Sequence, residues 1–124
     1  MILPTKVAED KDDRVASYWM PGQGLLLQTS SYARFEGEPI SAQDRLQART
    51  ARESLSNLAI EKVSIPDCPD HAAVAGTDQE GCRWVYCYAV WSDLTILITI
   101  SGTPQELEDN ASWAFKALRS LRRT

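Results

Sequence analysis

The stretch from Cys82 to Ser101 constrains the fold most strongly, because it is typical of two long strands joined by a tight turn. Both arms are rich in β-branched and aromatic residues and contain neither glycine nor proline, a composition that suits a pleated sheet. The second arm, from Leu94 onwards, alternates aliphatic residues with mainly hydroxyl-bearing ones, so one of its faces is apolar. We therefore predict a β-hairpin whose two-residue turn is Ser92-Asp93.

The predicted turn fixes the pairing register, and the register decides which side chains share a face. One face becomes aliphatic, formed by Val85, Cys87, Ala89, Leu94, Ile96, Ile98 and Ile100. On the other face, an aromatic arm lies opposite a largely hydroxyl-bearing one, with Trp84 against Ser101, Tyr86 against Thr99 and Tyr88 against Leu97. This aromatic face has two interpretations, a second core layer or a surface that binds a protein, because tyrosine and tryptophan are enriched in both.

A helix follows the hairpin. Thr103-Pro104-Gln105-Glu106 is a capping box with proline at the first helical position. The residues Leu107, Ala111, Ala114, Leu118 and Leu121 then recur at helical spacing. We expect this helix to cover the aliphatic face of the hairpin. Trp113 lies off the apolar stripe and is therefore either capped by another segment or exposed.

An earlier helix is predicted to begin at the cap Ser41 and to run to about Leu58. Its expected apolar stripe is narrow and rich in alanine, consisting of Ala48, Ala51, Leu55 and Leu58. Three arginines, Arg45, Arg49 and Arg52, lie beside the stripe. They form either a solvated basic face or a contact for an acidic partner.

The remaining segments complete an α+β fold with an antiparallel sheet. Strands are expected at Val15–Met20, Leu25–Phe35, Ile60–Ile65 and Ala72–Thr77, in addition to the two arms of the hairpin. The prediction is a sheet of about six strands in the order β-β-α-β-β-β-β-α, with both helices packed on it. Residues 1–124 form one globular domain, and the acidic residues 1–13 form a mobile or solvated leading segment.

Charge and cysteine content narrow the class of protein. A net charge of −4 disfavours nucleic-acid binding, which normally requires a basic surface. The amino terminus becomes acidic before a signal-peptide core could form, and the longest apolar run, 94–100, is too short to span a membrane. Three cysteines are an odd number, which fits reduced thiols. We therefore expect a cytoplasmic protein that binds neither nucleic acid nor membrane.

No arrangement of residues predicts catalysis, a cofactor or a metal site. Cys68, His71, Cys82 and Cys87 superficially supply four zinc ligands, but an odd separation along one strand puts Cys82 and Cys87 on opposite faces. His71 is the single histidine, and no nucleophile elbow accompanies it. The expectation is a non-enzymatic protein with no catalytic residues, no cofactor and no metal.

The order of elements and the segment 82–122 resemble the PsbP-like and DcrB-like small α/β sandwiches of bacteria. The resemblance rests on the aromatic strand, on the strand Leu94-Thr-Ile-Leu-Ile-Thr-Ile-Ser-Gly102, and on a capped helix that ends in Trp113-Ala-Phe-Lys-Ala-Leu-Arg-Ser-Leu-Arg122. The resemblance implies a fold whose members are mostly non-catalytic. They include chaperones that hold the hydrophobic N-termini of type VI secretion effectors, and small proteins linked to secreted toxins.

These observations favour a protein-binding module, in the first place an immunity protein that neutralises a cognate secreted toxin or effector. A type VI secretion effector chaperone, which would favour a homodimer, is the first alternative. A small enzyme or ligand-binding domain is the second. The residues expected to contact the partner are four aromatic and four acidic ones, Trp84, Tyr86, Tyr88, Trp113, Asp67, Asp70, Asp78 and Glu80.

Overall fold

The computed structural model describes residues 1–4, 7–12, 14–33 and 40–122, and in these it shows seven strands and two helices. In chain order the elements are β1 (Ala8–Lys11), β2 (Val15–Trp19), β3 (Leu26–Ala33), α1 (Ala42–Arg52), β4 (Ser56–Glu61), β5 (Asp70–Thr77), β6 (Arg83–Val90), β7 (Leu94–Gly102) and α2 (Pro104–Arg119). The strands form one antiparallel sheet in the order β1-β2-β3-β7-β6-β5-β4. The predicted α+β class is confirmed, with one strand more than expected.

The hairpin of β6 and β7 has the predicted register. Val85 lies opposite Ile100, Cys87 opposite Ile98, and the other pairs follow in step. The N–H of Trp91 donates to the carbonyl oxygen of Leu94 at 2.8 Å and closes the turn. On its other side β7 pairs with β3. The sheet therefore consists of two meanders, β1–β3 and β4–β7, joined along the β3–β7 seam at its centre.

The helix α2 covers the aliphatic face of the sheet, as predicted. Ile98 and Cys87 on the sheet, and Ala114 and Leu118 on the helix, have no solvent-exposed surface. The helix begins with a complete capping box, in which the Thr103 hydroxyl accepts from the Glu106 N–H at 3.1 Å. This local signal and the apolar stripe agree, which explains why the position of α2 follows from the sequence.

The helix α1 is shorter than predicted, and it packs on the opposite face of the sheet. It begins at the Ser41 cap, as expected, but ends at Arg52 because residues 56–61 form the strand β4. The predicted stripe is wrong as well, since Ala48 and Ala51 are exposed. The buried residues of the helix are Ala42 and Leu46.

The leading segment contains a strand that the sequence did not predict. Ala8–Lys11 is the edge strand β1, residues 9–11 of it are exposed, and Lys11 forms an ion pair with Glu9 at 3.1 Å. An edge strand tolerates charged side chains, which is why an acidic sequence can join a sheet there. Asp13, and the predicted end of the second strand at 34–35, lie outside the described residues.

Trp113 is half-buried and packs against the core beneath α2. Its side chain and Ile2, Leu3 and Pro4 line one cleft of about 290 Å³. The indole N–H donates to the side-chain oxygen of Asn110 at 2.7 Å. Separately, neither helix in the described ranges is long and apolar enough to pass through a lipid bilayer.

Candidate functional site

The helix α1 packs over only two of the seven strands on its face of the sheet. With its side chains a helix is about 10 Å wide, and neighbouring strands lie about 4.8 Å apart, so one helix covers roughly two strands. Here the two covered strands are β5 and β6. Among the residues that the structure describes, no helix lies above the central strands β7 and β3 on this side, although Leu97 of β7 is buried against the α1 cluster.

The side chains of this face change from apolar to polar at the boundary of the area that α1 covers. One cross-strand row runs from β1 to β4 through residues paired in register, namely Asp10, Ser17, Gln28, Thr99, Tyr86, Val74 and Ile60. The row is polar as far as Thr99 and apolar from Tyr86 onwards. On the α2 side, the neighbouring row of Tyr18, Leu27, Ile100, Val85 and Ala75 has no polar break. The uncovered region is thus polar, as is usual for a sheet face that is open to solvent.

This open region is a groove of about 650 Å³, which we call the α1-side groove. Its floor consists of Gln28, Ser30, Leu97 and Thr99 from β3 and β7. Gln28 is held in place because its side-chain amide donates to the Ser17 hydroxyl at 3.1 Å. Hydroxyl and amide groups offer both donors and acceptors, which suits a polypeptide backbone.

Two stacked aromatic rings line one side of the groove. The rings of Trp84 and Tyr86 lie 5.7 Å apart between centroids, with an angle of 10° between their planes. The indole N–H of Trp84 donates to the carboxylate of Asp78 at 2.9 Å. This hydrogen bond, with further ones from the backbone N–H groups of Cys82 and Glu80, lowers the pKa of the Asp78 carboxyl from its usual value. Trp84 is therefore fixed in orientation before any partner arrives.

The last turns of α1 supply the opposite charge. The guanidinium of Arg49 lies 6.0 Å from the centre of the Tyr86 ring, and its Nε donates to the Tyr88 hydroxyl at 3.3 Å. Arg49 also forms an ion pair with Glu53 at 3.5 Å. Arg52 lines the same side of the groove. The groove therefore combines basic side chains from α1 with acidic ones from the β5–β6 turn.

The structure divides the eight residues predicted to contact a partner. Trp84, Tyr86, Asp78 and Glu80 all line the α1-side groove. However, Tyr86 and Tyr88 are only 5% exposed, because α1 packs on them. For these two residues the core interpretation is correct, and burial raises the pKa of the Tyr86 phenol. The surface that remains available from the aromatic face is mainly Trp84.

The remaining predicted residues lie outside the α1-side groove and make contacts within the fold. Asp70 accepts from the backbone N–H of Ala42 at 3.3 Å and so anchors the start of α1. The backbone oxygen of Asp67 accepts from the indole of Trp91 at 3.2 Å. Trp113 lies on the α2 side of the sheet. The eight residues therefore do not lie on one continuous surface.

The floor of the groove was not identified from the sequence. From the sequence, Gln28 and Ser30 carry no functional prediction, Thr99 is identified only as the residue opposite Tyr86, and Arg49 only as part of a basic helix face that is solvated or contacts an acidic partner. The available signal was the alternation of polar residues along β3. A strand that is polar on one face has that face open to solvent, even at the centre of a sheet.

Two of the cysteines and the histidine make contacts that stabilise the fold. Cys68 and Cys87 are buried in the core under α2, and burial, with a contribution from Cys68, raises the pKa of the Cys87 thiol to about 12. The two ring nitrogens of His71 contact the carbonyl oxygens of Cys68 and Val63, which fixes the loop before β5. Among the described residues, no three histidine, cysteine or acidic side chains are grouped as metal ligands.

The overall fold is similar to that of a solved structure. It matches the crystal structure of PA94 from Pseudomonas aeruginosa, a protein of unknown function suggested to be a regulator, with a TM-score of 0.61. The two chains are 14% identical, and the match covers 95% of this chain and 97% of that chain. At this identity the similarity shows the fold alone. No protein-family model and no curated protein sequence matches the chain.

Proposed function

We propose that this protein is a non-catalytic, cytoplasmic binding module, and that it acts as an immunity protein for a secreted toxin. The observation that carries the proposal is the α1-side groove, whose polar floor, fixed indole and mixed charges suit a segment of another protein. The partner is a toxin or effector domain, and one of its surface segments lies in the groove.

The chemistry of the groove is that of a protein interface. Tryptophan and arginine are among the residues that most often dominate binding energy between proteins, and the groove holds Trp84 and Arg49 beside the buried Tyr86. Their contacts with each other and with Asp78 keep these side chains in place, so little conformational entropy is lost on binding. A preorganised patch of this kind favours tight binding to a folded partner.

Charge supports a basic partner surface. The chain carries a net charge of −4, and Asp78 and Glu80 lie at the mouth of the groove. Opposite charges across an interface speed association and select against wrong partners. A toxin that acts on nucleic acid has a basic active-site surface, and an acidic inhibitor can cover it.

A secretion chaperone is the second candidate, and one observation favours it. Tyr32 and Val15 are 42% and 37% exposed, and they extend the same sheet face beyond the polar floor. Exposed apolar side chains on this face give an apolar helix a surface to pack against. In this case the occupant is the hydrophobic N-terminal segment of an effector.

The test uses co-expression with the product of the neighbouring gene. If the proposal is correct, the wild-type protein restores growth to cells that express the toxin domain. Ser30→Arg, which places a long charged side chain on the floor of the groove, abolishes protection. Ser92→Arg, the same change at an exposed turn, leaves it intact.

The outcomes separate the two candidates. If the protein does not protect cells but keeps the full-length effector soluble, and Ser30→Arg abolishes that effect, the chaperone candidate is supported. If Ser30→Arg and Ser92→Arg act alike in both assays, the groove is not the binding site. Co-purification of a metabolite in place of a protein would contradict both candidates.

A further inference from the structure

The two edges of the sheet differ sharply in character. The strand β1 is short and carries Glu9, Asp10 and Lys11, charged side chains of the kind that protect an edge from association. The other edge is β4, where Leu58 is 49% exposed and Ile60 is 84% exposed. A strand edge combines unpaired backbone groups with these two aliphatic side chains, which makes it a template for another strand.

The side of α1 next to β4 is uncharged. Gln43, Gln47 and Thr50 border a small cleft of about 80 Å³ that reaches Ile60. On the same helix, Arg49 and Arg52 are directed to the α1-side groove instead. Depletion of charge is the compositional sign of the centre of an interface. The α1-face side chains of the edge, Leu58 and Ile60, and the adjacent helix flank thus form one uncharged surface.

We propose that two copies of this chain dimerise by pairing their β4 strands antiparallel about a two-fold axis at Ala59. In this register Leu58 of each copy lies opposite Ile60 of the other, on the α1 face. Glu61 of each copy lies towards the bulge of the other, where Asn57 is uncharged, so no like charges are brought together. The edge is therefore complementary to itself, which is the requirement of a two-fold interface.

The geometry of β4 also limits the assembly to two copies. The pairing of β4 with β5 shifts register between Ser56 and Ala59, and Asn57 has a positive φ of 54°. Such a bulge bends the strand and confines regular pairing to a short segment. Because the opposite edge is charged, the dimer offers no second apolar edge for growth. Both α1-side grooves remain open, because they lie over the β3–β7 seam.

The test measures the association state by sedimentation equilibrium over a range of protein concentrations. Wild type is expected to be a dimer, and Ile60→Lys to weaken dimerisation by about 100-fold or more, since two buried isoleucines are lost per dimer. Lysine is well tolerated on an exposed edge strand, so the variant should fold. Ile40→Lys, at another exposed isoleucine, is the matched control and should remain a dimer.

A second measurement tests the register. Ala59→Cys in a Cys82→Ser background should be linked to itself by a short bis-maleimide, whereas Ser92→Cys in the same background should not. A monomeric wild type overturns the proposal, and so does a dimer that Ile60→Lys leaves as tight as before. Absence of the Ala59 crosslink overturns the two-fold register. None of these results depends on whether the α1-side groove binds a partner.

Discussion

Replacement of Tyr88 by alanine should destabilise the fold far more than replacement of Trp84, although both lie on the same face of β6. Tyr88 is 5% exposed beneath α1, and its hydroxyl accepts a hydrogen bond from Arg49. Loss of a buried aromatic side chain costs about 3–5 kcal/mol. For a chain of 124 residues this lowers the melting temperature by about 12–20 °C.

The corresponding change at Trp84 removes a half-buried ring, a stacking contact with Tyr86 and a hydrogen bond to Asp78. These contacts together contribute about 2 kcal/mol, or roughly 8 °C in melting temperature. If Trp84 contacts the partner, binding should follow the opposite order, and Trp84→Ala should weaken affinity by about 30-fold or more.

The assay is urea unfolding, monitored by far-ultraviolet circular dichroism. The free energy of unfolding and its dependence on urea concentration are compared between variants. Tyr88→Phe is the matched control, because it removes only the hydroxyl, and it should cost about 1 kcal/mol. If Trp84→Ala destabilises the protein as much as Tyr88→Ala, the packing of α1 on the aromatic face is refuted.

Three further predictions concern single side chains. Because the pKa of Asp78 is lowered in the folded protein, its carboxylate stabilises the fold above its unfolded-state pKa. In urea titrations Asp78→Asn should therefore be less stable than wild type at about pH 7, and the difference in stability should shrink by about pH 3. A difference that does not change with pH would contradict this linkage. Because its pKa is raised to about 12, Cys87 should resist iodoacetamide at about pH 8. Cys82, which is partly exposed, should react under the same conditions. Mass spectrometry should show labelling of Cys87 only after unfolding. Thr103→Ala removes the cap of α2 and should cost about 1 kcal/mol in the same urea assay, an expectation that an unchanged midpoint would contradict.

Local signals were sufficient to predict the C-terminal half of the fold. The hairpin, its register and the start of α2 depend on alternation and on a capping box, which are properties of neighbouring residues. The predicted end of α1 was wrong for a physical reason. Leu55 and Leu58 have helical spacing, while Leu58 and Ile60 have strand spacing, and the pairing of Ile60 with Val74 on β5 decides between them.

The candidate site could be predicted only in part, because it is assembled by tertiary structure. The aromatic strand is visible in the sequence, but its floor comes from β3, which precedes β7 by more than sixty residues. No local pattern indicates that Gln28 lies beside Thr99. Similarly, Asp70 and Asp78 are eight residues apart, yet they lie at opposite ends of β5. Closeness along the chain is a poor guide to a shared surface when a strand separates two residues.

The β3–β7 seam decides how the two meanders are held together. The two meanders are each built from contacts between consecutive strands, and they meet along this one line of backbone pairing. The floor of the α1-side groove lies across it, with Gln28 on one meander and Thr99 on the other. A partner bound in the groove therefore contacts both meanders and stabilises the protein against their separation. Amide hydrogen exchange along β3 and β7 should slow together when the groove is occupied, since both strands become accessible in the same opening event.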